Sequence, residues 1–281
     1  MTETVAWSCP SGHGLVATPY CPECGERPLK ARELTLLGLL DQAFQSLTSI
    51  DGRLLNSFRT LVSRPGALTV SFLRGHRKPY IGPVSLFLIT NVLFFATESL
   101  TGGTIFATPL DSHLHRQPWS GTAQVLVAGR LAALNTTIDA YAPMFNAAIE
   151  VHARSLILLM TLSFALLPAF VFRRARHPFA VHAVFSLHLY AFMLLLFCVA
   201  TSVPATGLLT SGVRSPSENL DRVLSMGLVL TSAVYLYFAV RAVYGGSRVA
   251  SALRSAALTT GAAAIVLAYR FGLLLLSLYS T

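Results

Sequence analysis

Charge is the scarcest ingredient of this sequence. Asp, Glu, Lys and Arg make up 12% of its 281 residues, about half the ~25% usual in soluble chains. Apolar residues make up 53%, and mean hydropathy is +0.60. So few charges cannot cover the outside of a water-soluble fold with that much apolar surface, whereas a bilayer removes the need. Cysteine is scarce too. Three of the four, Cys9, Cys21 and Cys24, fall in the first 25 residues, and Cys198 stands alone in an apolar run, where it reads as a packing residue. A nucleophile–base arrangement, a phosphate-binding glycine loop and the zinc-protease helix are all missing, and Gly102-Gly103 is not a nucleotide motif. The first 30 residues hold no apolar core of signal-peptide length, so the first spanning helix is expected to direct insertion itself. No internal repeat or low-complexity tract stands out.

What charge there is leans basic. The formal net charge is +9, and nine of the 21 Lys and Arg lie between Arg27 and Lys78, ahead of the first long apolar run. A basic flank beside a membrane span attracts anionic headgroups, at ~1 kcal/mol per basic residue near the surface. Arg59, Arg64, Arg74, Arg77 and Lys78 are therefore the candidate headgroup-binding residues, because guanidinium forks match phosphate geometry. Nucleic acid is not expected as a partner, since the charge sits beside spans and not on a separate domain.

Residues 1–29 carry Pro10, Gly12, Gly14, Pro19, Pro22, Gly25 and Pro28, which exclude a long helix. A segment this short has no core of its own and needs a staple. Cys9, His13, Cys21 and Cys24 supply one, in the pattern Cys-x3-His-x7-Cys-Pro-Glu-Cys-Gly. The Cys-x-x-Cys step puts two thiolates on one tight turn, and Cys9 with His13 completes a set of four N/S ligands suited to structural Zn2+. Four protein ligands leave no open position for a catalytic water. A redox-active Cys21/Cys24 pair and a site that has lost its metal are the alternatives.

The rest of the chain predicts an all-α membrane bundle. Residues 30–80 read as interfacial helices. Leu36, Leu37, Leu40, Phe44 and Leu47 stripe a first amphipathic helix, and Leu54, Leu55, Phe58, Leu61 and Val62 a second. Arg64-Pro65-Gly66 is a sharp stop, followed by a short apolar helix at about 67–73. Residues 81–281 form the membrane domain, with five spans at about 83–100, 155–172, 182–203, 223–243 and 256–279, each long enough for ~30 Å of hydrocarbon. The loop 101–154 is expected to hold helices outside the bilayer at 121–134 and 139–153, the latter as an extension of the second span. Basic residues cluster in alternate loops, which places the N-terminus inside and the C-terminus outside.

Polar groups within spans are functional candidates, because lipid exposure costs several kcal/mol. Asn91, Glu98, His182, His188 and Arg270 qualify. Glu98 lies 15 residues past Pro83 and Arg270 lies 15 past Ser255, so both sit ~22 Å from the inner surface. They are expected to pair, to share a water pocket or to snorkel outward. His188 is expected to bond Asn91 or a nearby carbonyl. His182 and His188 lie about 240° apart on a helix and make a poor metal pair. Asp111, His113 and His115 could bind a metal but read as solvated. Small residues at Ser251, Ser255, Thr259 and Ala263 permit close helix packing.

The knuckle, the stretch IDGRLLNSFRTLVSRPGALTVSFLRGHRKPYIGPVSLFLITNVLFF (50–95) and, more loosely, VFRRARHPFAVHAVFSLHLYAF (171–192) resemble the bacterial family named domain of unknown function 3667. The Arg-Pro-Gly turn and the run from Gly75 to Pro83 are its more specific features. The family usually has two Cys pairs, and here His13 stands where a thiolate is expected. The resemblance implies a bacterial inner-membrane protein with a zinc-ribbon-like head, and implies no reaction.

Three functions fit these features. The first is a non-enzymatic docking or regulatory module that binds anionic lipid, a protein partner or a second copy of itself. The second is a transporter or channel component using Asn91, Glu98, His188 and Arg270, which requires a cavity reaching those residues. The third is a membrane-embedded enzyme acting on a lipid or envelope precursor. Its nearest residue set is His76, His177 and His182, with too few acids beside them to favour it.

Overall fold

The computed structural model describes residues 6–28, 52–101, 105–175, 177–211 and 218–281, together with Thr35. The first amphipathic helix expected from Leu36 to Leu47 lies outside the described residues, as do Gly102, Gly103 and the loop residues Arg176 and Arg214.

The head is a two-stranded antiparallel ribbon, β1 (Trp7–Ser8) and β2 (Leu15–Val16), with Trp7 opposite Val16. Next come α1 (Gly52–Ser63) and α2 (Ala67–Leu73), joined by the Arg-Pro-Gly turn. The first long apolar helix is α3 (Pro83–Thr101). Two helices, α4 (Leu110–His115) and α5 (Ser120–Leu134), lie between α3 and the next long one. The remaining helices are α6 (Ile138–Val171), α7 (Phe179–Ser211), α8 (Glu218–Tyr244) and α9 (Arg248–Ser280).

Four helices (α3, α7, α8 and α9) are long and apolar enough to cross a membrane. A fifth is reached if α6 counts, whose halves Ile138–Ile157 and Leu159–Val171 meet at 43°. The segments expected at 139–153 and 155–172 are thus one helix with a bend.

The core sits around the first half of α7, where every residue from Ala180 to Phe192 is buried, as befits a helix that is apolar nearly all round. Ala183, Val184, Phe185, Leu187, Tyr190 and Leu194 are all inaccessible. Phe94 of α3 meets Phe197 of α7 at 6.2 Å. Phe164 of α6 meets Tyr190 edge-on at 5.5 Å, and Tyr235 of α8 stacks on Phe192 at 3.6 Å. Helix α9 closes the bundle against α6, with Leu167 in the space that any side chain at Gly261 would take. The outer faces of α8 and α9 expose Met226, Leu230, Phe238, Val249 and Leu253. A water-facing surface rarely carries so large an apolar area.

The bundle has two chemically distinct ends. The start of α3, the end of α6, the start of α7, the end of α8 and the start of α9 share one end, which the knuckle also joins. Phe172 stacked on Tyr244 at 3.8 Å, with the Tyr244 hydroxyl 2.8 Å from His182 Nδ1, links the ends of α6 and α8 and the start of α7. The opposite end gathers α4, α5, the start of α6 and the end of α9, where the Tyr141 hydroxyl and Thr281 Oγ1 are 2.6 Å apart.

Candidate metal centre and its seat on the helices

Ribbon geometry brings the four predicted ligands together. The Cys9 amide donates to the Gly14 carbonyl at 2.9 Å, curling the chain so that His13 faces back toward Cys9. Gly12 and Gly14 take positive φ in that curl, a region open to glycine without steric cost. On the other side the Gly25 amide donates to the Cys21 carbonyl at 2.7 Å, closing the Cys-x-x-Cys turn. Trp7 Nε1 donates to the Thr18 carbonyl at 2.8 Å and holds the intervening loop against the ribbon.

The donor atoms of Cys9, His13, Cys21 and Cys24 all lie within 4.8 Å of one another. Cys9 Sγ is 3.4 Å from Cys24 Sγ, and His13 Nδ1 is 3.7 Å from Cys9 Sγ and 3.6 Å from Cys21 Sγ. Zinc-to-sulfur and zinc-to-nitrogen bonds at tetrahedral angles require separations of about 3.8 and about 3.6 Å. The four residues therefore fit a metal ion. His13 Nε2 faces the Glu23 carboxylate at 3.7 Å, which orients the ring with Nδ1 toward the site.

The same closeness shapes the acidities. His13 is raised to about 9 by its contacts with the Cys21, Cys24 and Cys9 sulfurs. Cys21 is lowered, chiefly by the backbone amide of Cys24. Burial alone would raise Cys9 and Cys24, but the Ser11 amide at Cys9 and the Glu26 amide at Cys24 help to outweigh it, and both sit below the ordinary thiol value.

The knuckle is seated on the chain just ahead of α3. Glu26 is buried, and its Oε1 accepts the backbone N–H groups of Arg77 at 2.9 Å and Lys78 at 2.7 Å. Its own carbonyl accepts the Cys21 amide at 2.7 Å, so one residue joins the metal turn to the basic turn. From the other side α1 holds the same stretch. Asn56 donates to the Pro79 carbonyl, Arg53 to the Tyr80 carbonyl, and Ser57 Oγ accepts the Ile81 amide, at 3.0, 2.8 and 3.0 Å. Every residue from Arg77 to Ile81 thus has a backbone group held from outside the turn. Glu26, Arg53, Asn56 and Ser57 carry this arrangement without any motif or spacing to mark them, because their partners lie more than 20 residues away.

Of the expected headgroup-binding residues, Arg59, Arg64, Arg74 and Lys78 are exposed at this end, and Arg77 is half-buried with its guanidinium 4.5 Å over Phe72. The Arg-Pro-Gly turn packs against α8. A Cβ at Gly66, whose φ is 80°, would lie 2.9 Å from the Ala239 carbonyl oxygen and 2.9 Å from the Ala242 Cβ.

The polar residues in the long helices take partners different from those expected. His188 Nδ1 lies 2.8 Å from Thr69 Oγ1, because α2 packs against α7 and brings that hydroxyl to it. Asn91 Nδ2 is buried with no hydrogen-bond partner among the described residues. His182 Nδ1 meets the Tyr244 hydroxyl at 2.8 Å, and His177 stands 6.3 Å from His182. His76 packs edge-on against Tyr80 instead. Glu98 and Arg270 form no direct ion pair. Glu98 accepts the Ile105 amide at 2.7 Å while Arg270 donates to the Ile105 carbonyl at 2.6 Å, so the two grip one residue from either side.

At that far end, Asp111, His113 and His115 diverge. Asp111 and His115 meet each other at the surface at 3.1 Å. His113 turns fully inward and accepts the Trp119 Nε1–H at Nδ1, at 3.2 Å. Burial, together with the nearby Arg270 charge, holds His113 down at about 4.

The described residues thus hold four or five helices long and apolar enough to cross a membrane, headed by a knuckle able to hold a metal ion. Residues 51–95 match the model of the family described as Protein of unknown function (DUF3667). That segment is α1, the Arg-Pro-Gly turn, α2, the doubly held turn and most of α3. The knuckle and the looser stretch near 171–192 lie outside it. No curated protein and no solved structure matches the chain.

Proposed function

We infer that this chain is a non-enzymatic docking or regulatory module of the bacterial inner membrane. Its knuckle carries structural Zn2+ on the cytoplasmic side, and its C-terminus is extracytoplasmic. The observation that carries the reading is the Glu26 bridge. It fixes a rigid metal head beside Arg74, Arg77 and Lys78, so that head and basic turn present one surface. Four protein ligands close the metal and leave no room for a substrate. The basic residues gather at the knuckle end, which by the positive-inside tendency is the cytoplasmic end. Anionic headgroups, or an acidic partner protein at the membrane surface, are the ligands such a surface suits. Two cavities along α8 and α9, among the described residues, are lined by none of Asn91, Glu98, His188 and Arg270; His188 bonds Thr69, and Glu98 and Arg270 both hold Ile105.

The test uses the full chain in uncharged lipid nanodiscs, mixed with vesicles that are either purely phosphatidylcholine or contain phosphatidylglycerol. The reading expects binding to the anionic vesicles only. It also expects that binding to weaken with added salt and in the Arg59→Gln, Arg64→Gln, Arg74→Gln triple variant. Equal binding to both vesicle types removes the lipid half of the proposal.

A further inference from the structure

A second basic feature lies at the knuckle end, apart from the Arg59–Lys78 surface. A cavity of about 300 Å³ opens where α6 ends and α9 begins, lined by Phe170, Phe172, Arg173, Arg174, Tyr244 and Arg254. Two of its guanidinium groups are shelved on aromatic rings. Arg173 lies 5.3 Å over Phe170 and Arg254 lies 5.3 Å over Phe172. Phe172 is itself fixed by its stack on Tyr244, whose hydroxyl meets His182. The three arginines make no ion pair with any described carboxylate. Three like charges line one cavity, and no described carboxylate offsets them, an arrangement that favours an anion.

We propose that this cavity binds the phosphate group of an anionic phospholipid, with Arg173, Arg174 and Arg254 as its ligands. Planar guanidinium forks held on aromatic faces suit the oxygens of a phosphodiester better than a point charge would. The surroundings favour a lipid over a free ion. Phe170 at the cavity and Leu166, one turn deeper on α6, are 69% and 61% exposed, an apolar flank along which acyl chains can lie. Deeper in the bundle the same two helices, α8 and α9, line an apolar groove of about 330 Å³ against α7, passing Leu236, Ala262 and Val266. Leu236 lies eight residues from Tyr244, about 12 Å along α8, within the reach of an acyl chain. Headgroup chemistry and tail chemistry thus adjoin on one pair of helices. This goes beyond the docking surface proposed above and uses none of its residues.

The test is native mass spectrometry of the full chain in uncharged detergent, with thermal melting alongside. The probes are phosphatidylglycerol, phosphatidylcholine with the same chains, and inorganic phosphate. The expected result is a preference for phosphatidylglycerol that falls about tenfold or more when Arg174 and Arg254 are both replaced by Gln, since each removes a charge-assisted bond. Binding of phosphatidylcholine should not change. Arg254 is half-buried, so an Arg173→Gln, Arg174→Gln variant, both positions exposed, provides the same reading if the first variant fails to fold. Retained preference in the folded pocket variants overturns the proposal. So does loss of preference only in the Arg59, Arg64, Arg74 triple variant, a result that would leave the docking surface standing. Displacement of the lipid by inorganic phosphate, with equal thermal stabilisation, reassigns the cavity to a soluble anion and overturns the lipid claim.

Discussion

The Glu26 carboxylate accepts the backbone N–H of Lys78 at 2.7 Å across 52 residues of chain. The same oxygen takes the Arg77 amide, so one buried side chain satisfies two donors at the foot of α3. Removing it leaves two amides to find water. Glu26→Ala is expected to cost about 1–3 kcal/mol per unsatisfied group. Thermal unfolding of the purified protein in detergent should show this, with a smaller loss for Glu26→Gln, whose amide oxygen can still accept.

Gly66 answers to two constraints at once, a positive φ and contact with α8. Gly66→Ala would press a methyl group onto the Ala239 carbonyl and the Ala242 side chain. The expected loss is about 1–3 kcal/mol, an overpacking cost to which backbone strain adds. Gly272 is the control, since a Cβ there meets nothing within 4 Å and the site is helical. Gly272→Ala should leave the melting temperature unchanged or raise it slightly.

His113 stores a pH dependence. Its folded value of about 4 lies below the ~6.5 of a free imidazole, so the folded state binds the proton less readily. Its contribution to stability is complete above pH ~6.5 and is lost progressively as pH falls toward about 4. Protonation at Nδ1 would also remove the acceptor that Trp119 uses. His113→Gln is expected to flatten the melting temperature between pH 6.5 and 4, read by differential scanning fluorimetry. A variant that keeps the wild-type slope would show that other groups set it.

Local chemistry made much of this legible. Ligand spacing named the four donors of the knuckle because they fall within 16 residues, from Cys9 to Cys24. Apolar run lengths located α3, α7, α8 and α9, and the Arg-Pro-Gly stop separated α1 from α2. Partnerships across the chain were not legible. Equal depth placed Glu98 and Arg270 at one level, yet no periodicity could supply Ile105, a loop residue that both hold. His188 bonds Thr69 because a seven-residue helix, too short to read as a span, packs into the bundle. Nothing in the spacing after the Cys-x-x-Cys turn marks Glu26, and only the folded chain brings Arg77 and Lys78 to it.

Metal loading itself has a pH signature. His13 held at about 9 by the cysteine sulfurs means that an ion entering the site displaces a proton from the ring as well as from thiols. Apparent Zn2+ affinity should therefore rise with pH until about 9 and fall as the medium is acidified. Calorimetry in two buffers of different ionisation heat would count the protons released. A pH-independent affinity would contradict the assigned ligands.

Hydrogen exchange of the full chain in nanodiscs, with Zn2+ and after chelation, bears most directly on the metal head being part of the membrane-facing structure. Slow exchange of the Arg77 and Lys78 amides with metal bound, and much faster exchange at those two positions once it is stripped, is the predicted result. Exchange at Arg77 and Lys78 that ignores the metal would mean the knuckle is a passenger, and the docking surface described here would not exist.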